Sequence, residues 1–392
     1  MVTISPPTYE EKPMPDYFQQ HDVGYVYSLI RSGESCSLVG IGSVGKSNLM
    51  AFMTRDDVRK RYLGDLAPYT LMVLLDPHKL INLHGQALEQ AGGLWPGYEI
   101  MLSRLRRVII EADDTGQLPS DNPDLVNQVE SYYLNLFDGP LFTIQSGIRH
   151  LEEAVYQVMS MDKRWKIAFM FDEMEQFMPL PPAFFQSLRG LRDEFKQRVM
   201  FITASRRPLE ELADEAVAIS GNEKDKEMLE SFLELFHGFR RYIGALDRPS
   251  AEWMVQGRLE LRYGREPRYR GRIPLSPKQR EELLMVTGQH AGLLRRSFIP
   301  MVTFNAQSYT YDQLFNYLLD NPGVLQECKT IYDSLSPGEQ KCLQEFVHTT
   351  QYNPSDDCWK SLAEKELVTL TAGKPTLRLP ILAGFIMKNK PR

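Results

Sequence analysis

The chain has 392 residues, 43% of them hydrophobic and 24% charged, with a formal net charge of −6. Such a chain forms an ordinary globular protein with room for two or three domains. The acidic excess argues against a protein that coats nucleic acid over its whole surface, and no apolar run approaches the roughly 20 residues that span a bilayer.

Residues 1–16 carry Pro6, Pro7, Pro13 and Pro15 and read as an extended arm. The arm lacks the apolar segment of a signal peptide, so a cytoplasmic location is the expectation. Val23, Val26, Tyr27 and Ile30 then recur at helical spacing within 17–31, and Ser32-Gly33 ends that helix. Cys36-Ser37-Leu38-Val39 reads as a short buried strand. Directly after it, Gly40-Ile41-Gly42-Ser43-Val44-Gly45-Lys46-Ser47 satisfies G-x-x-x-x-G-K-[ST]. The apolar face of Asn48–Met53 continues as a helix, which completes the strand–turn–helix context. Glycines let such a loop curl until its N–H groups converge on phosphate oxygens, and the helix N-terminus adds partial positive charge. Gly40, Gly42, Ser43, Val44, Gly45, Lys46, Ser47 and Asn48 are therefore the candidate nucleotide-binding residues. Lys46 would reach the β- and γ-phosphates, and the Ser47 hydroxyl would hold Mg²⁺.

Tyr69–Leu75 is a continuous apolar run ended by Asp76-Pro77, as expected of a parallel strand covered on both faces. Residues 78–165 are helical by pattern, with Leu102, Leu105, Val108 and Ile109 in register and breaks at Gly92-Gly93 and Pro119–Pro123. No chemistry is legible there. Lys166–Phe171 is the next apolar strand, and it ends in Asp172-Glu173. Ligands of open α/β sheets bind at that carboxyl edge. Asp172 is the candidate metal ligand alongside Ser47, and Glu173 the candidate base for an attacking water. Val199–Ser205 is a further strand. Thr203 or Ser205 could bond the water or the γ-phosphate, and Arg206 could offset phosphoryl charge. Pro208 opens a helix, and Arg240–Leu246 reads as a last strand.

Helical pattern resumes at Ser250. Residues 258–272 concentrate Arg258, Arg262, Arg265, Arg268, Arg270 and Arg272 and read as a solvated loop that could alternatively meet nucleic acid or an acidic partner. A helix over 276–286 leads to Thr287–Arg296, a glycine-containing turn before another helix. His290 and Arg295 are candidate nucleotide contacts there. Leu325–Leu335, Pro337–Val347 and Ser355–Leu367 read as three helices, followed by a hairpin with Gly373 in its turn: a winged helix. Its third helix bears Asp356, Asp357, Glu364 and Glu366 against Lys360 and Lys365, which suits a protein surface better than phosphates. Cys36, Cys328, Cys342 and Cys358 have neither zinc-site nor disulfide-framework spacing and read as buried free thiols.

From Tyr17 onward these motifs resemble the STAND class of P-loop ATPases, relatives of the AAA+ group that includes archaeal origin-recognition initiators. Gly40–Ser47 resembles the class's Walker A, Ile167–Glu173 its Walker B, and Thr203–Leu209 its sensor-1 strand. Thr287–Leu294 is similar to its Thr-Gly-Gly-His-Pro turn, with Gln289 in place of the second glycine and Ala291 in place of the proline. The resemblance implies a parallel α/β P-loop sheet with helices on both faces, then a helical lid and a winged helix. The matching boundaries are an arm over 1–16, an ATPase core over 17–248, a lid over 249–323 and a winged helix over 324–392.

It also implies a regulatory switch that binds Mg²⁺ with ATP or ADP and hydrolyses slowly. Such a switch acts through a protein partner or effector supplied in trans, or through nucleotide-dependent self-assembly. A DNA-associated ATPase using the arginines and the winged helix is the alternative, and a nucleotide-binding scaffold without turnover a third reading. The intact Asp172-Glu173 pair weighs against the scaffold.

Overall fold

The structure is a computed structural model that describes residues 13–80, 95–118, 124–138, 144–304, 309–350, 352–353, 356–371 and 374–389. The breaks expected at Gly92-Gly93 and Pro119–Pro123, Gly373 of the hairpin turn and most of the arm lie outside them. The chain divides into two compact units. One comprises His21–Val39 with Lys46–Arg241, and the other Met1–Gln20, Gly40–Gly45 and Tyr242–Arg392.

The first unit is built on a sheet of β1 (Cys36–Val39), β2 (Thr70–Leu75), β3 (Lys166–Phe171), β4 (Val199–Ser205) and β5 (Arg240–Tyr242), in the order β2-β3-β4-β1-β5. β1 to β4 are parallel, and their register sets Leu75 opposite Phe171, Phe171 opposite Thr203, and Val39 opposite Ser205. Gly40, Asp76, Asp172 and Arg206, each the next residue after its strand, therefore all leave the sheet at one edge. The strands read as unbroken apolar runs because every residue of β1 and β4 is buried, with no solvent face to alternate toward.

Helices α1 (Gln20–Ser32), α2 (Lys46–Met53), α3 (Asp56–Leu63), α4 (Trp95–Asp114), α5 (Leu125–Asp138), α6 (Ile144–Met161), α7 (Pro182–Phe195), α8 (Leu209–Ser220) and α9 (Glu223–Leu233) accompany the strands. An aromatic chain fixes α7 and α9 against β4: Phe185 meets Phe232 at 5.4 Å and Phe232 meets Phe201 at 5.7 Å between ring centroids. Each such ring, fully buried, contributes about 1.5–3 kcal/mol. Lys166 Nζ donates to the Ile30 and Arg31 carbonyls at 3.1 and 2.7 Å, satisfying the C-terminal end of α1 where a cation is favoured.

In the second unit, α10 (Arg248–Trp253) widens into a π-helical stretch over Met254–Leu259 and continues as α11 (Glu260–Gly264). The basic segment is thus helical through Gly264, a correction to the loop reading. A Cβ at Gly257 would stand 2.6 Å from the Trp253 indole nitrogen, so glycine there leaves room for that side chain. Arg262, Arg265, Arg268, Arg270 and Arg272 are exposed, and Arg268 pairs with Glu266.

Next come α12 (Pro277–Thr287), α13 (Ala291–Thr303), α14 (Tyr311–Leu319), α15 (Pro322–Asp333), α16 (Pro337–Thr349) and α17 (Asp357–Glu364). An antiparallel hairpin of β6 (Val368–Thr371) and β7 (Lys374–Leu377) leads to α18 (Pro380–Lys388). Capping boxes at Ser276, Thr310 and Ser336 start α12, α14 and α16. Lys365 is buried against Glu339 at 2.6 Å, so the surface of α17 and its flank is more acidic than the residue list implies.

The reading of all four cysteines as free thiols is corrected in part. Cys342 on α16 and Cys358 in the first turn of α17 form a disulfide across a Cα–Cα distance of 6.6 Å. Their spacing in sequence carried no such signal, because the packing of α16 on α17 is what sets the two thiols face to face. Cys36 and Cys328 are buried and free. No helix among the described residues is long and apolar enough to cross a membrane.

Candidate active site

Several charged residues of the first unit gather at the edge where β3 and β4 end. Lys46 opens α2 and is 8% exposed. Burial pulls its pKa down to about 8; Glu175 opposes this most strongly, Arg206 reinforces it, and Asp172 and Glu173 add to the opposition. The lysine, the three carboxylates and the arginine are therefore near enough to sense one another. The hydroxyl of Ser47, the next residue, lies close enough to the Asp172 carboxylate to lower its pKa. Asp172 Oδ1 also accepts the Glu173 N–H at 2.9 Å. Burial raises the Asp172 pKa, and those two groups pull against it.

Glu173 has φ 45° and ψ 58°, a left-handed conformation that costs a non-glycine residue about 1 kcal/mol or more. Its carboxylate receives Gln176 Nε2 and lies 3.9 Å from His78 Nε2, with the side chain 31% exposed. A carboxylate so placed is open to water beside the Lys46 ammonium. Glu175 Oε1 accepts the Arg206 N–H. Sequence reasoning missed both Glu175 and His78. The signal available was position alone: each follows a strand that ends at this same edge.

Ser205 is buried and spends its hydroxyl on the Arg207 carbonyl at 2.6 Å, while Arg207 pairs with Glu215. Arg206 is exposed. Thr203 Oγ1 is buried with no hydrogen-bond partner among the described residues.

The loop Gly40–Gly45 belongs to the second unit. Ser43 and Gly45 take φ of 57° and 115°, and the second is a conformation only glycine adopts without strain. Gly42 N donates to Ser334 Oγ at 3.0 Å, and Gly292 N donates to the Ser43 carbonyl at 3.0 Å. His290 is the N-cap of α13: its Nδ1 accepts the Leu293 N–H at 3.3 Å. An accepting Nδ1 leaves the neutral ring's proton on Nε2, which donates to the Gly42 carbonyl at 3.1 Å. His290 thus holds the loop's backbone. Val44 is buried, Asn48 is exposed on α2, and Arg295 is exposed on α13 with no ion pair among the described residues.

Among solved structures, the chain is similar to the Walker-type ATPase PABY2304 of Pyrococcus abyssi. Their identity is 12% over 98% of this chain and 99% of that one, with a TM-score of 0.52. The likeness is one of fold: a parallel α/β sheet followed by a helical region. Cdc6p from Pyrobaculum aerophilum aligns at 11% identity over 98% of this chain and 96% of that chain, with a TM-score of 0.39. No protein-family model and no curated protein matches the chain.

Proposed function

We propose that this protein binds ATP or ADP with Mg²⁺ on the Gly40–Ser47 loop and hydrolyses ATP slowly, as a regulatory switch of the STAND type. The observation that carries this reading is the placing of the Ser47 hydroxyl beside the Asp172 carboxylate at the carboxyl edge of a parallel sheet, with the Lys46 ammonium buried beside them. A hydroxyl and a carboxylate held together are the hard-oxygen pair that suits Mg²⁺. When bound, the ion supplies neutralisation of charge on the transferring phosphoryl group. Lys46 binds the β- and γ-phosphate oxygens, which replace the water it gave up on burial. Glu173 orients and deprotonates the attacking water, and Arg206 faces the charge that develops on the departing phosphoryl group.

The switch acts through a protein partner or through nucleotide-dependent assembly of copies of the chain. Asp356 and Asp357, exposed where α17 starts, support a protein-facing role for the winged helix. A DNA-associated ATPase is the second reading, favoured by the exposed Arg262, Arg265, Arg270 and Arg272. Titration calorimetry with ADP and ATP tests the site itself. Lys46→Ala should abolish tight binding, and equal affinities in variant and parent would remove the assignment.

A further inference from the structure

Glu327, Thr330 and Ser334 follow one another at three- and four-residue steps along α15 and its C-cap, so they share one face of the helix. All three lie against the loop Gly40–Gly45 or its neighbour Gly292. Ser334 Oγ receives the Gly42 N–H. The Thr330 carbonyl oxygen stands 3.0 Å from where a Cβ on Gly42 would sit. Glu327 Oε1 stands 2.2 Å, and Ser43 Cβ 2.7 Å, from where a Cβ on Gly292 would sit. Only a glycine at 292 lets the carboxylate and the loop approach each other this closely.

Glu327 is 4% exposed. Its Oε2 lies 3.5 Å from Arg296 Nε, but Oε1 is buried with no hydrogen-bond partner among the described residues. A buried carboxylate oxygen without a donor is costly, so the site calls for a group that brings one. An ionised carboxylate only accepts. Phosphate oxygens also only accept and would be repelled; of the nucleotide's donors, the sugar hydroxyls lie nearest the phosphates that a loop of this kind holds, and the amine of the base lies further off.

We infer that Glu327 Oε1 accepts a hydrogen bond from a ribose hydroxyl of the bound nucleotide, making Glu327 a specificity-determining residue for ribonucleotides. The inference rests on the nucleotide-binding reading above and extends it from the phosphates to the sugar. A site built to bond a hydroxyl rejects an analogue that lacks it, because the acceptor is then left buried and unpaired.

The test is an affinity series on the full chain with ATP, 2′-deoxy-ATP, 3′-deoxy-ATP and inorganic tripolyphosphate. One of the two deoxy analogues should bind the parent ~10–100-fold more weakly than ATP, the size of a lost hydrogen bond to a charged group. Glu327→Ala should erase that discrimination while leaving tripolyphosphate affinity unchanged, and Glu327→Gln, which keeps an acceptor oxygen, should restore part of it. Equal affinity of the parent for ATP and both deoxy analogues overturns the inference and leaves the nucleotide site standing. Tighter binding of ATP and tripolyphosphate alike by Glu327→Ala also overturns it, and shows a carboxylate that repels phosphate. If the parent binds neither ATP nor tripolyphosphate, the nucleotide reading falls and takes the inference with it.

Discussion

Lys46 is costly to the protein in the absence of phosphate, and Lys46→Met measures how costly. Burial takes its pKa from an ordinary value of 10.5 down to about 8, even with Glu175, Asp172 and Glu173 pulling the other way. At 1.36 kcal/mol per pKa unit, a difference of that size is worth about 3 kcal/mol. The sign follows from the order of the two values. Below pH 8 the lysine is charged in both folded and unfolded chains, and the folded state bears the whole cost of holding a buried ammonium. Between pH 8 and 10.5 the folded state sheds the proton first, and the cost fades. Methionine has similar length and no charge. Nucleotide-free Lys46→Met should therefore be more stable than the parent by about 3 kcal/mol at pH 7, with the gain shrinking towards zero by pH 10.5. Urea unfolding of both proteins across that range is the assay. Saturating ADP should reverse the order, since it stabilises only the chain that binds it. A variant no more stable than the parent at pH 7, or a gain that does not change with pH, would refute the reasoning.

Glu173→Gln should keep ATP bound and lower phosphate release ~100-fold or more in a single-turnover assay; unchanged release, with the loss found in Glu175→Gln, would move the base two residues on. Duplex DNA should bind no tighter than the ~10⁻⁴–10⁻⁶ M of non-specific contacts at physiological salt. Submicromolar affinity that vanishes when Arg265, Arg268, Arg270 and Arg272 become alanine would install the DNA reading instead. Reducing the Cys342–Cys358 bridge should cost the second unit about 3 kcal/mol, from the chain entropy of the loop it closes. Identical unfolding curves with and without dithiothreitol would show that the bridge constrains nothing.

What the sequence determined by itself is local. β1, β2, β3 and β4 were legible because strands buried on both faces are continuous apolar runs, and each run stops where the chain meets the polar edge. The Gly40–Ser47 motif was legible because the turn demands glycine at fixed offsets, and Asp172-Glu173 became a candidate pair only through that motif upstream, since many strands end in acidic turns. Helices α15, α16 and α17 and the two strands after them were legible from helical spacing followed by short strand runs. The tertiary structure decided the rest. The order β2-β3-β4-β1-β5 and its register brought Glu175, which no spacing connects to the loop, near Lys46. The Cys342–Cys358 pair exists because α16 packs on α17. The backbone of Gly42 is held by Ser334, 292 positions away, and by His290, 248 away. Periodicity along the chain reports which face of an element is buried. It carries no information about which distant donor reaches which acceptor, because that is fixed only when the elements pack.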